Sequence, residues 1–271
     1  MKYSVCNELF GGMALADACS IIRGCGFSGV EFAPYTVFGD FSAKAVRSGL
    51  NQMKAVLSGE GLTFAGFHWL LAKPDGLHFA SLDPEVRART QDHLAMLLEA
   101  SGELGGGELI LGSPRQRGSF PGRTRAEAEM YLRDTLAGLA PLAASCASEI
   151  LIEQLSPDQT DVINTMEEAI GAVDGIGAAS VSGMFDFHNS ITETEPWDVL
   201  VDRYYPYIRH VHINEVDGRA PGTGKSDYGP AWRILKDRGY SRWVSIEIFE
   251  IPDRPGKMLD DAMRLFRALD A

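Results

Sequence analysis

Between Glu149 and Glu247 four short runs interrupt helix-like segments: EILIE (149–153), VSGMFD (181–186), IRHVHIN (208–214) and WVSIE (243–247). Each has the length of a buried strand. Each also ends at, or within a few residues of, a group able to clasp a divalent metal: Glu153, Asp186, His212 and Glu247. Toward the N-terminus the alternation continues. KYSVC (2–6) precedes a helical pattern over 15–24, and GVEF around Glu31 precedes one over 43–59. LTFAGFH ends at His68 before a long amphipathic segment from Asp83 to about Leu104. ELILG closes at Gly112, and a helical pattern over 125–147 follows. The later units carry helical patterns over 164–174, 196–204, 230–237 and 257–269.

Short apolar strands alternating with helical periodicity predict a parallel sheet. Eight such units predict an α/β fold closed as a (β/α)8 TIM barrel. The 271 residues are near the roughly 250 typical of that fold, and no compositional break interrupts them, so one domain over 1–271 is expected. An open doubly wound sheet is the rival. The first strand-to-helix junction, VCNELFGGM, lacks the Gly-x-Gly-x-x-Gly pattern of a dinucleotide site. Helix punctuation agrees with the alternation: Asp83-Pro84 reads as a cap followed by a first-turn proline, and Gly59, Gly61 and Gly239 fall where helices should end.

The formal net charge of -12 argues against nucleic acid as a partner, because Lys and Arg are nowhere strongly clustered. No apolar run approaches the ~18 residues needed to cross a bilayer, and the N-terminal MKYSVCNELF has no long apolar signal core. Cys6, Cys19, Cys25 and Cys146 form no CxxC pair, so reduced thiols in a cytoplasmic protein are expected.

In a (β/α)8 barrel the C-terminal strand ends converge on one rim, where active sites are built. Three carboxylates and an imidazole delivered there form a divalent-metal site, Glu153, Asp186, His212 and Glu247, suited to Mn2+, with Mg2+, Co2+ or Zn2+ as alternatives. His188 follows Asp186 by two residues and shares its side of the strand. His210 and His212 share one face; His210 is expected one layer below, as support. Glu31 and His68 belong at the same rim by the strand-end rule. Arg115 and Arg117 in GSPRQRG, with Arg219 and Lys225 in the loop after the seventh strand, are the cations nearest to it. The glycines of that loop, APGTGK, read either as an anion-binding turn or as a tight surface turn. Glu250 lies beyond the last apolar run and is expected to be solvated.

The pieces ILIEQL, MFDFHN, HVHINE with APGTG, and VSIEIFE resemble the xylose isomerase-like TIM-barrel superfamily, in its sugar isomerase and epimerase branch. The likeness runs strand by strand along the chain and is nearest to D-tagatose and D-psicose 3-epimerases. It implies that Glu153, Asp186, His212 and Glu247 bind Mn2+ or a similar ion, and that Glu153 and Glu247 also shuttle the substrate proton. It implies a small carbohydrate substrate and a homodimer or homotetramer. The chain departs from the epimerase pattern in the sugar-binding shell. The Asp-x-x-His of those enzymes is replaced by Asp186-Phe187-His188; Gln159 stands where they carry a substrate-binding Glu; their seventh-loop Arg falls at Gly218, beside Arg219.

The expected chemistry is therefore metal-dependent epimerisation or isomerisation of a small keto sugar or sugar phosphate. Proton abstraction alpha to the carbonyl gives an enediolate, with Glu153 and Glu247 as base and acid. His188, Arg219, His68, Glu31 and Arg115 are the expected substrate contacts. An inosose-type dehydratase shares the first proton abstraction and is the alternative. A DNA-repair endonuclease would need a basic groove and more metal-binding histidines. A barrel that binds sugar without turnover is the non-enzymatic alternative.

Overall fold

The eight apolar runs become eight strands, and every strand hydrogen-bonds its sequence neighbours in parallel until β8 closes on β1. The structure is a computed structural model describing residues 1–271. The strands are β1 Lys2–Cys6, β2 Gly29–Phe32, β3 Thr63–Phe67, β4 Glu108–Leu111, β5 Glu149–Ile152, β6 Val181–Asp186, β7 Ile208–Ile213 and β8 Trp243–Ile246. The helices are α1 Leu15–Gly24, α2 Pro34–Val37, α3 Ala43–Glu60, α4 Pro84–Glu103, α5 Pro114–Arg117, α6 Arg125–Ser145, α7 Met166–Ile176, α8 Trp197–Tyr204, α9 Gly229–Asp237 and α10 Pro255–Asp270. The short α2 and α5, in the loops after β2 and β4, were not legible in the sequence. No helix is long and apolar enough to cross a membrane.

Local chemistry sets the helix ends. The Asp83 carboxylate caps α4 by accepting from the Glu85 amide at 2.8 Å, and Thr124 with Glu127 closes a reciprocal capping box on α6. Gly61 ends α3 in the left-handed conformation, whereas Gly59 lies inside that helix. The outer core forms where each helix lays its apolar stripe on the sheet. Along α10, Leu259, Ala262, Met263 and Phe266 are buried at helical spacing, and the Phe266 ring meets Tyr3 at 4.9 Å and Trp232 at 5.4 Å. Burying such a side chain contributes roughly 1.5–3 kcal/mol.

The barrel interior differs from this outer core. Ile110, Leu151 and Met184, from the adjacent β4, β5 and β6, form a small apolar cluster of their own. The other side of the interior is polar. Ser4 and Ser245 hydroxyls touch across the β1–β8 pair, and Glu31 on β2 meets His210 and His212 on β7. Since β1 and β8 lie between those strands, that contact crosses the barrel. At the N-terminal end the Trp243 ring fills the interior over Gly29, where a Cβ would lie 2.6 Å from the ring. A TIM-barrel interior is usually layered with bulky branched residues. Here those layers are partly given up to buried charge, all of which needs partners.

Candidate metal centre and pocket

Strands β5 to β8 are neighbours, so their C-terminal ends stand side by side. Asp186 pairs in register with His212, and His212 with Ser245, which leaves Glu247 two residues further along β8. Glu153, Asp186, His212 and Glu247 are all buried, and their ligand atoms lie within 4.8 Å of one another. His212 Nδ1 is 3.1 Å from Glu247, 3.6 Å from Glu153 and 3.7 Å from Asp186, with no hydrogen-bond partner of its own. An orphaned buried imidazole nitrogen ringed by carboxylates fits a divalent cation. The hard oxygen donors and one imidazole suit Mn2+, Mg2+, Co2+ or Zn2+.

The electrostatics of the bare cluster point the same way. Burial, reinforced by the charges of Glu153 and Glu247, pushes the Asp186 carboxyl well above its ordinary range. Burial alone would lower the His212 imidazole, but Glu31 and Glu247 outweigh it and hold it well above its ordinary value. Such a cluster retains protons until a cation replaces them.

Glu31 lies beneath this centre rather than in the pocket. It accepts from His212 Nε2 at 2.9 Å, with His210 Nε2 2.8 Å and His68 Nδ1 3.2 Å away. Burial opposes its charge, yet His212 and His210 hold its carboxyl well below the usual range. Bonding of Nε2–H to Glu31 fixes the tautomer that leaves Nδ1 free, the carboxylate–histidine–metal arrangement. The expectation that Glu31 touches substrate is thus not met by its position, because β2 carries it one layer too deep. His210 is fully buried and lies in the supporting layer expected of it.

The pocket over the centre is a narrow cleft partly open to solvent, with about 310 Å³ of empty space when its open mouth is counted. Its walls include His68, Trp69, Gly112, Glu153, Gln159, Asn189, Glu247 and Phe249. Two amides that the chemistry-bearing motifs did not single out as site groups order its floor. Asn189 Nδ2 donates to Glu153 Oε1 at 3.1 Å, its backbone N–H donates to Asp186 at 2.6 Å, and Gln159 Nε2 donates to Asn189 Oδ1 at 2.7 Å. The available signal was spacing: Asn189 stands three residues after Asp186, the place of the His in Asp-x-x-His. Trp69 and Ser113 both take the left-handed backbone conformation, and Ser113 Oγ accepts from the Leu71 amide, tying two pocket loops together. Backbone strain of this kind, about 1–3 kcal/mol each, gathers at sites.

The expected cationic contacts do not reach the pocket. Arg115 is exposed on α5. Arg117 is fully buried but is used up on the carbonyls of Leu111, Glu153 and Ile163. Arg219 is half exposed and paired with Asp217 at 2.8 Å, and Lys225 is exposed. His188 stands outside the lining, its Nδ1 2.7 Å from the Val216 carbonyl oxygen and its ring 5.0 Å from Phe249. Glu250 is exposed, as its position suggested. The glycine-rich loop does hold an anion, and it is the chain's own. Glu215 accepts from the Gly222 amide at 2.8 Å and from the amide and hydroxyl of Ser226, with the Tyr228 hydroxyl at 3.0 Å. Against burial, these donors hold its carboxyl below the ordinary range.

Comparison with known proteins places this geometry in a lineage. The chain is 22% identical over 260 residues to a fructoselysine 3-epimerase of Escherichia coli O157:H7, covering 90% of this chain and 89% of that one. It is 25% identical over 205 residues to a D-psicose 3-epimerase of Ruminiclostridium cellulolyticum, covering 74% and 68%. The solved structure of a 3-keto-D-glucoside 4-epimerase from E. coli superposes with a TM-score of 0.84 at 20% identity over 99% of both chains. The family model described as xylose isomerase-like TIM barrel matches residues 19–269, and the chain belongs to that family.

Proposed function

We propose that the chain is a divalent-metal-dependent epimerase of a small, unphosphorylated keto sugar. The observation that carries this reading is the convergence of Glu153, Asp186, His212 and Glu247 around one free imidazole nitrogen beneath a polar cleft at the barrel rim. The epimerase names of the relatives support the reaction class. When bound by these four residues, the ion supplies Lewis acidity to the carbonyl and the adjacent hydroxyl oxygen.

The chain's own groups account for the proton transfer. Glu153 ends β5 and Glu247 follows β8, with the Asp186–His212 pair between them. Two carboxyl groups so placed approach a flat enediolate from opposite sides. One removes the alpha proton and the other returns a proton to the opposite face, which inverts the carbon. Asn189 holds Glu153 through one oxygen and leaves the other toward Gly112. Gln159 and Asn189 offer amide donors and acceptors for sugar hydroxyls, while Trp69 and Phe249 supply apolar walls.

The absence of a phosphate on the substrate follows from charge. The lining includes acidic Glu153 and Glu247 and no Lys or Arg, and a phosphate dianion there would lack the charge-assisted donors that such groups need. The same lack of Lys and Arg argues against a nucleic-acid substrate. The test is a panel of free ketoses, their phosphates and a cyclic polyol ketone, incubated with Mn2+-loaded protein and resolved by chromatography. A C3 or C4 epimer of a free ketose is the expected product. Turnover confined to the phosphates would refute the substrate class, and loss of water from the cyclic ketone would replace epimerisation with dehydration.

A further inference from the structure

Cys6, Glu8 and His68 form a second group of potential ligands, separate from the centre described above. Cys6 ends β1, Glu8 lies in the 3-10 turn Asn7–Phe10 that follows it, and His68 comes directly after β3. Their ligand atoms lie within 4.8 Å of one another. Cys6 is fully buried, His68 is 1% exposed, and the Glu8 side chain is 15% exposed.

The polar atoms of this group are not satisfied among themselves. His68 Nε2 is 2.8 Å from Glu8 Oε2, yet the two lack the alignment of a hydrogen bond. Both oxygens of Glu8 and both ring nitrogens of His68 are buried without a hydrogen-bond partner. A donor and an acceptor this close but out of line are arranged as two ligands of a common third atom are. His212 Nδ1 stands in the same relation to the carboxylates around it. Glu31 joins the two groups: one of its oxygens accepts from His212 Nε2 and lies 3.2 Å from His68 Nδ1, leaving Nδ1 of the first ring and Nε2 of the second to face outward.

We propose that Cys6, Glu8 and His68 bind a second divalent cation of the Zn2+ type. One sulfur, one imidazole and one carboxylate make a borderline donor set that favours Zn2+ or Co2+ over Mg2+ or Ca2+. Three protein ligands leave a fourth position open, and His68 lines the substrate pocket, so that position opens toward the pocket. Binding releases the Cys6 proton to solvent as the sulfur becomes a thiolate ligand. Cys6 also lies within 4.8 Å of Glu31 and His212. That trio is less suited, since Glu31 and His212 already bond each other and are fully enclosed. Glu8 is the least buried of the three, its side chain 15% exposed although both carboxylate oxygens lie inside. The site stands on these residues alone and does not depend on the epimerase reading.

The test is Co2+ titration of the metal-free protein, following absorbance and the bound metal after equilibrium dialysis. Expected is a second equivalent beyond that held by the Glu153 cluster, with a sulfur-to-cobalt charge-transfer band in the near ultraviolet. Cys6→Ser should lose the band and the second equivalent while retaining the first. Glu8→Gln, at a part-exposed position, keeps the test open if the serine variant does not fold. It should weaken the second equivalent by about tenfold or more, the least expected for a ligand given the 10–100-fold effect of outer-shell partners. A single equivalent with no thiolate band would overturn the site and leave His68 as an imidazolium holding Glu8. A band unchanged in Glu8→Gln would overturn this ligand set in favour of Cys6 with Glu31 and His212. Failure to bind any Co2+ would overturn both centres.

Discussion

Gly112 gives the sharpest test of how the Glu153 carboxylate is held. A Cβ built at this position would press into Glu153 Oε2, closer than real Cβ atoms come to a neighbour, and would lie 3.5 Å from its Cδ. Gly112 has no positive φ, so Gly112→Ala adds no backbone strain. The clash is with the far end of a side chain, which can swing away. Stability should therefore change little, within about 1 kcal/mol, the range of substitutions that create neither cavity nor strain. Function has no such escape. Oε2 must retreat by on the order of 1 Å, and a displacement of that size costs about 10²-fold in rate. That corresponds to about 2.7 kcal/mol of transition-state stabilisation. The assay is steady-state epimerisation of the best ketose at saturating Mn2+, beside a thermal melt. Expected is a fall concentrated in kcat, with Tm near that of the parent. Activity within a few-fold of the parent would refute the placement of Glu153 against Gly112 as a catalytic constraint.

Three further outcomes are expected. Glu153→Gln, like Glu247→Gln, should lose turnover by about 10³-fold or more while circular dichroism is unchanged, since general acid–base groups contribute roughly 10²–10⁴-fold and each also binds the ion; near-normal turnover would count against the scheme. Glu31→Gln removes the carboxylate that fixes the His212 tautomer and should weaken Mn2+ about 10–100-fold, measured by competition with a chelating dye. Glu108, buried at the start of β4 with Arg242 3.6 Å away, has its carboxyl pushed up by burial to about 7. Its folded value exceeds the unfolded one, so its contribution is full below about pH 4.3 and is lost as pH rises through about 7. Urea unfolding of the parent should weaken by roughly 1–1.5 kcal/mol between pH 6 and pH 9, and Glu108→Gln should flatten that slope.

The architecture was legible because it is written in period and length. Apolar runs of strand length alternated with helical stripes, and the boundaries followed caps such as Asp83 and the left-handed Gly61. The clustering of Glu153, Asp186, His212 and Glu247 was legible because strand ends fix both direction and rim. Depth was not. Glu31 and His68 both read as rim groups, but β2 carries Glu31 beneath the centre while His68 reaches the pocket wall. Loops hid the rest. Arg115 and Arg117 are two residues apart in one short helix, yet one faces solvent and the other binds three carbonyls inside. Asn189, Gln159 and Glu8 are placed by turns whose course no periodicity encodes. The glycine-rich loop, read as an anion site or a tight turn, is both, with Glu215 as the anion.

The most direct measurement is proton NMR of a free ketose in heavy water with Mn2+-loaded protein, repeated after chelation, with metal and protein removed before acquisition. The expected result is metal-dependent replacement of the proton next to the carbonyl by deuterium, together with signals of the epimer. Retention of that proton in every ketose tested, with metal bound at the Glu153 cluster, would contradict proton transfer by Glu153 and Glu247.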